Sequence, residues 1–120
     1  MARILAVDDS PAMRQMVGIT LSGAGHEVEQ AADGCEALQK AEATRFDLVI
    51  TDVNMPKMDG ITLVRELRGL ETYKYVPLLV LTTEATVERK QAGKAAGATG
   101  WLVKPFNPER LLATINKVLG

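Results

Sequence analysis

Val49-Ile50-Thr51-Asp52-Val53-Asn54-Met55-Pro56 is the stretch on which the fold turns. Val49, Ile50 and Thr51 are all β-branched and lead directly into an aspartate. Such a run predicts a buried strand of a parallel sheet, apolar on both faces. Pro56 has no N–H to give to a ladder, so the strand must end before it, at Asp52. A carboxylate at the carboxyl end of a strand in an open α/β sheet lies at the edge where such sheets bind ligands. Taken alone, Asp52 reads equally well as a turn residue. The ligand-edge reading depends on what converges with it.

Outward from that stretch, the chain alternates apolar runs with helical spacing. Residues 4–7, 46–51, 76–81 and 99–103 are short apolar runs and predict strands, the one at 76–81 strongly apolar and so central. Residues 26–30 alternate weakly and predict an edge strand. Ser10-Pro11 predicts a helix start, with Ser as N-cap and Pro at the first helical position. Met13, Val17, Thr20 and Leu21 follow at helical spacing, and Gly23 and Gly25 end that helix. Asp33-Gly34 opens a second helix carrying Ala37, Leu38 and Ala41, and Ile61, Val64 and Leu67 mark a third. A fourth, over about 86–96, is weak: Gly93 inside it costs about 1 kcal/mol against Ala, and its apolar face is mostly alanine. Asn107-Pro108 starts a fifth, whose apolar face is Leu111, Leu112, Ile115, Val118 and Leu119. Strand and helix alternating in this way predict an α/β fold with a parallel sheet covered on both faces. Right-handed crossovers make it a flavodoxin-like (βα)5 doubly wound sheet in the order 2-1-3-4-5.

Composition narrows the class. The 120 residues predict a single domain over 1–120, and 47% hydrophobic residues supply its core. A net charge of -1 and few aromatics give no support to a nucleic-acid partner. No apolar run reaches membrane-spanning length. Met1-Ala2-Arg3 leads straight into a strand, so no signal peptide is expected. A lone Cys35 has no internal partner and reads as an inert structural thiol, and the expected compartment is the cytoplasm. His26, the single histidine, falls before the edge strand and is expected to serve the surface rather than the acidic cluster.

In this strand order, Asp8, Asp9 and Asp52 end adjacent strands, and Thr82 and Lys104 end the next two on the same edge. Clustered carboxylates repel: at about 4 Å and an effective dielectric near 20, each pair costs about 4 kcal/mol. Lys104 offers a single positive charge, too little for three carboxylates. A hard, oxygen-preferring ion such as Mg2+ is the natural complement. No Cys or His is placed to favour zinc. A carboxylate beside Mg2+ can attack a phosphoryl group and form an acyl phosphate. Asp52 is the nucleophile by its position, Asp8 and Asp9 are the metal acids, and Thr82 and Lys104 are the groups that hold phosphoryl oxygens.

The motifs are recognisable together. Asp8-Asp9, Asp52 followed by Met55-Pro56 and Met58-Asp59-Gly60, Thr82, and Lys104-Pro105-Phe106 resemble the receiver domain of response regulators. The resemblance spans the chain with no output domain and is strongest to single-domain chemotaxis regulators of the CheY type. It implies a signalling protein that catalyses only its own phosphorylation and dephosphorylation. Asp52 would accept phosphoryl from a histidine kinase. Asp9, Asp52 and the backbone carbonyl of Asn54 would ligate Mg2+ directly, with Asp8 acting through water. Lys104-Pro105 would be a cis peptide. Asn54 and Glu84 stand where the family tunes phosphate lifetime, and this pairing implies rapid self-dephosphorylation.

Trp101 stands where chemotaxis regulators usually carry Tyr, and its amphipathic ring can lie inward or outward. The implied switch has phosphoryl on Asp52 attract Thr82 while Trp101 rotates into room opened beneath the fourth strand. The face of helix four, strand five and helix five then binds a downstream protein such as the flagellar motor switch, with the chain mostly monomeric. Moving such an equilibrium from 1:99 to 99:1 takes about 5.5 kcal/mol of differential stabilisation.

Three rivals fit less well. A haloacid-dehalogenase-type phosphatase needs a second acid two residues after Asp52, where Asn54 stands. A flavin binder needs a phosphate cradle in the first loop, and Asp8-Asp9 would repel it. A phosphorelay intermediate, handing phosphoryl to a His-phosphotransfer domain, benefits from a long-lived phosphate, against which Asn54 and Glu84 argue. Lys57 and Arg89-Lys90 read as solvated charge, and Met13 and Met16 are open to core packing or kinase docking.

Overall fold

The four apolar runs and the weakly alternating edge stretch form one five-stranded sheet, and the polar breaks between them become turns and helix starts. The computed structural model describes residues 1–120. The strands are β1 (Arg3–Val7), β2 (Glu27–Ala31), β3 (Leu48–Thr51), β4 (Leu78–Thr82) and β5 (Gly100–Val103). The helices are α1 (Pro11–Gly23), α2 (Gly34–Ala43), α3 (Gly60–Arg68), α4 (Val87–Ala96) and α5 (Pro108–Leu119). The order is β2-β1-β3-β4-β5 with every pair parallel, so the expected flavodoxin-like (βα)5 topology is the observed one. No helix is long and apolar enough to cross a membrane.

The runs read as apolar on both faces because both faces are covered. Leu5, Val7, Val49, Leu78 and Val80 point into one core with Ala37, Leu63 and Leu67 of α2 and α3. Ile4, Ala6, Leu48, Ile50, Leu79 and Leu81 alternate into the other with Val17 and Leu21 of α1 and Leu111 and Ile115 of α5. Each buried Val, Leu or Ile among them contributes about 1.5–3 kcal/mol. The start signals act as read: Ser10 accepts the Met13 N–H, Asp33 that of Glu36, and Asn107 that of Arg110.

Several strands are shorter than their apolar runs. Phe46 lies outside β3 because its N–H is taken by the Tyr73 hydroxyl at 3.1 Å. Val76-Pro77 stays outside β4, since Pro77 has no N–H for the ladder, although its carbonyl accepts from Val49. His26 precedes β2 at the far edge of the sheet from Asp52. It is half-buried, and its Nδ1 accepts the Ala2 N–H at 3.1 Å.

Helix α4 revises the reading of Gly93. A Cβ there would lie 2.6 Å from Cζ3 of Trp101, so the glycine makes room for the indole rather than merely weakening the helix. The Gly97 C-cap adopts a φ of 110°, which a side chain would strain. Lys57, solvated as expected with its ammonium 3.9 Å from Asp33, has a φ of 68° that its residue type did not announce.

Candidate functional site

Register alone brings the acidic residues together. Val7 pairs with Thr51, so Asp8 and Asp52, the next residues, leave neighbouring strands side by side. The Asp52 N–H donates to the Val7 carbonyl at 2.9 Å, and the Asp8 N–H to that of Ala31 at 3.1 Å. Both side chains are buried.

Every oxygen of Asp8 has a partner. Its Oδ1 accepts the Ser10 N–H at 2.9 Å, its Oδ2 the Lys104 ammonium at 2.7 Å, and its carbonyl Nη1 of Arg14 at 2.6 Å. Asp52 is held by its own neighbour: Oδ1 accepts the Val53 N–H at 2.6 Å, while Oδ2 accepts Lys104 at 2.8 Å. Asp9 is exposed and takes part in no hydrogen bond or ion pair.

Lys104 reaches this position because β5 delivers it there. Its N–H donates to the Thr82 carbonyl at 2.8 Å, and the Lys104-Pro105 peptide is cis. Burial pulls the ammonium pKa down, but hydrogen bonds and charge from Asp52 and Asp8 outweigh it and leave the group above its ordinary value. One cation thus serves two carboxylates, and the charge shortfall read from the sequence persists at Asp9.

Around the mouth, Thr82 is fully buried and its hydroxyl accepts the Glu84 N–H at 3.2 Å. The Asn54 amide donates to Oε1 of Glu84 at 3.2 Å. The Trp101 indole N–H donates to the Glu84 carbonyl at 2.9 Å, with the ring against Gly93. No rotation is needed to bring this ring inward. The carbonyl satisfies the indole N–H and the glycine leaves space for the ring, so of the two placements expected from the sequence the ring takes the inward one.

Asp8, Asp9 and Asp52 each offer one carboxylate oxygen within 4.8 Å of the others. An all-oxygen donor set with surplus negative charge fits a hard divalent cation such as Mg2+. Arg14 escaped the sequence reading. Its signal was the helix start at Ser10-Pro11, which puts residue 14 in the first turn beside the strand end.

The profile of the response regulator receiver domain matches residues 4–116. The chain belongs to that family. Chemotaxis protein CheY4 of Vibrio cholerae is 61% identical, with 98% of each chain covered and a TM-score of 0.94. Response regulator TrrA of Thermotoga maritima, solved in complex with Mg2+ and BeF, is 34% identical over 98% of this chain and 99% of that one, with a TM-score of 0.88. The DNA-binding dual master transcriptional regulator RpaA of a Synechocystis species is 39% identical over 119 residues, 99% of this chain and 49% of its own length. The chain spans half or less of the length of the curated relatives it matches. It is a CheY-like receiver domain of two-component signalling, a membership that implies a histidine kinase partner.

Proposed function

We propose that this receiver is a phosphorylation-operated switch of the chemotaxis type, with Asp52 as phosphoacceptor. The observation that carries the reading is the Lys104 ammonium bridging Asp8 and Asp52 at 2.7 and 2.8 Å, at the common edge of β1, β3 and β5. An Asp52 carboxylate oxygen attacks the phosphorus of a phosphohistidine on the kinase. The P–N bond breaks, and the imidazole leaves with the electron pair. Lys104 follows the negative charge from the carboxylate to a phosphoryl oxygen.

Asp8, Asp9, Asp52 and the backbone carbonyl of Asn54 would hold Mg2+, which when bound neutralises carboxylate and phosphoryl charge. The Thr82 hydroxyl, now accepting from Glu84, turns its proton to a phosphoryl oxygen. That transfer pulls on the loop carrying Glu84, to which Trp101 is bonded. Phosphorylation thereby fixes the inward indole and reshapes the face of α4, β5 and α5, which takes a downstream protein such as the flagellar motor switch. The Asn54–Glu84 pair at the mouth supports rapid self-dephosphorylation by orienting water.

Incubation with a small acyl phosphate, read by intact mass beside Asp52→Asn, tests this. A Mg2+-dependent phosphoryl adduct on the wild type alone is expected. Decay within minutes fits the chemotaxis type, whereas an adduct lasting hours would instead favour a phosphorelay intermediate. An adduct on Asp52→Asn would overturn the assignment.

A further inference from the structure

The carbonyl oxygen of Asp52, like its carboxylate, is closely confined. The hydroxyl of Thr51, a residue 1% exposed, donates to it at 2.8 Å. Gly60, the first residue of α3, comes so close that a Cβ there would lie 1.8 Å from that oxygen. The same Cβ would lie 2.8 Å from the Asp52 carbonyl carbon and 3.0 Å from Cα of Val53. The Gly60 N–H also donates to the Val53 carbonyl at 2.9 Å. Its φ lies outside the left-handed region, so close approach and not backbone freedom demands the glycine.

The peptide unit is planar, so whatever fixes the Asp52 carbonyl also aims the Val53 N–H. That N–H is the donor to Asp52 Oδ1 at 2.6 Å. Rotation of a carboxyl group about its last torsion is otherwise broad and nearly free. In-line attack on phosphorus requires a fixed direction of approach, and small misplacements are costly.

We propose that Thr51 and Gly60 are positioning residues for the Asp52 carboxylate, acting through the Asp52–Val53 peptide. The proposal rests on the reading of Asp52 as phosphoacceptor. β3 supplies a hydroxyl to the peptide oxygen, α3 supplies a surface without a side chain, and the amide between them holds one carboxylate oxygen. The other oxygen is left to Lys104.

Thr51→Val removes the hydroxyl at nearly constant shape, Thr51→Ser keeps it, and Gly60→Ala intrudes on the carbonyl. Ile115→Val, in the opposite core, lowers stability without touching the site. Three quantities are read on each: the Val53 amide resonance by NMR, the initial rate of adduct formation with a small acyl phosphate per folded molecule, and the thermal midpoint. Thr51→Val is expected to move the Val53 amide upfield and slow adduct formation on the order of tenfold to a hundredfold. Thr51→Ser should restore both, and Ile115→Val should change only the midpoint. Gly60→Ala should behave like Thr51→Val, and should it fail to fold, the Thr51 pair decides alone. An unmoved Val53 amide with a wild-type rate in Thr51→Val overturns the proposal. Absence of any adduct on the wild type would overturn the phosphoacceptor reading instead, while the amide resonance would still decide whether Thr51 and Gly60 hold the carboxylate.

Discussion

The indole N–H of Trp101 donates to the backbone carbonyl of Glu84 at 2.9 Å, while the side chain of the same Glu84 accepts from Asn54. One residue therefore faces the acidic site with its carboxylate and the α4–β5 surface with its backbone. Trp101→Phe keeps the ring over Gly93 and deletes the bond, leaving the Glu84 carbonyl to find water. The expected loss is about 0.5–1.5 kcal/mol by urea denaturation. Glu84 should also lose amide-exchange protection. Unchanged exchange at Glu84 would mean that the loop is held by other contacts.

Gly93 gives a prediction in which two principles oppose each other. Helix propensity alone says that Gly93→Ala stabilises α4 by about 1 kcal/mol. Packing says the reverse, because the added methyl would meet Trp101 Cζ3 at 2.6 Å. The overpacking penalty, about 1–3 kcal/mol, exceeds the propensity gain. Gly93→Ala should therefore destabilise the wild type and stabilise a Trp101→Ala background. This double-mutant cycle would fail if the substitution had the same sign in both.

The same pair shows where the sequence was legible and where it was not. Strand order, both cores and the convergence of Asp8, Asp9, Asp52, Thr82 and Lys104 follow from short-range patterns. Continuous apolar runs, Ser10-Pro11 and Asn107-Pro108 starts, and polar residues at strand ends are each visible locally. Gly93 was misjudged because its reason lies eight residues away in sequence, on another element. Arg14 escaped for a related cause, and Gly60 was visible as part of the Met58-Asp59-Gly60 motif but not as a close approach. Their partners are the backbone carbonyls of Asp8 and Asp52, and a carbonyl has no letter in a sequence. Boundaries slipped at Phe46 and Pro77, where a distant hydroxyl and a missing N–H decided what hydrophobicity could not.

Lys104→Met should separate charge balance from chemistry. The ammonium is the only side-chain donor to both Asp8 and Asp52, so its removal leaves two buried carboxylates without their cation. Without metal the variant should be destabilised. With the competing charge gone, Mg2+ should bind more tightly, by roughly tenfold, or about 1.4 kcal/mol. Titration with Mg2+ followed by Trp101 fluorescence would measure this. Adduct formation with acyl phosphate should nevertheless fall, since no ammonium remains to meet the phosphoryl oxygens. Weaker Mg2+ binding in the variant would show that Lys104 organises the carboxylates more than it competes for them.

Tyr73 sets an alkaline limit to the fold. Its ring is buried beneath the α2–β3 connection. The hydroxyl accepts the Phe46 N–H at 3.1 Å and faces the carbonyls of Ala41 and Thr44 at 2.8 and 2.9 Å. Burial pushes the phenol above its ordinary value of 10.0 and outweighs the opposing pull of the Phe46 N–H. A phenolate here would also turn an oxygen without a proton toward two carbonyl oxygens. With the folded value above the unfolded one, the stabilisation is complete below about pH 10. Between the two values the unfolded chain releases its proton and the folded chain keeps it, so stability falls as pH rises through the folded value. Lys104, also raised, acts in the same direction. Urea midpoints should be flat from about pH 7.5 to 9 and decline above about 10. Tyr73→Phe should begin less stable by about 1–3 kcal/mol, having orphaned the Phe46 N–H, yet decline less steeply in the alkaline range. Tyr75→Phe leaves Tyr73 as the single tyrosine, and in that background the tyrosinate absorbance should appear together with unfolding rather than before it. Ionisation of Tyr73 in a chain that stays folded would show that the buried hydroxyl has a route to water, and the alkaline limit would then have to lie elsewhere.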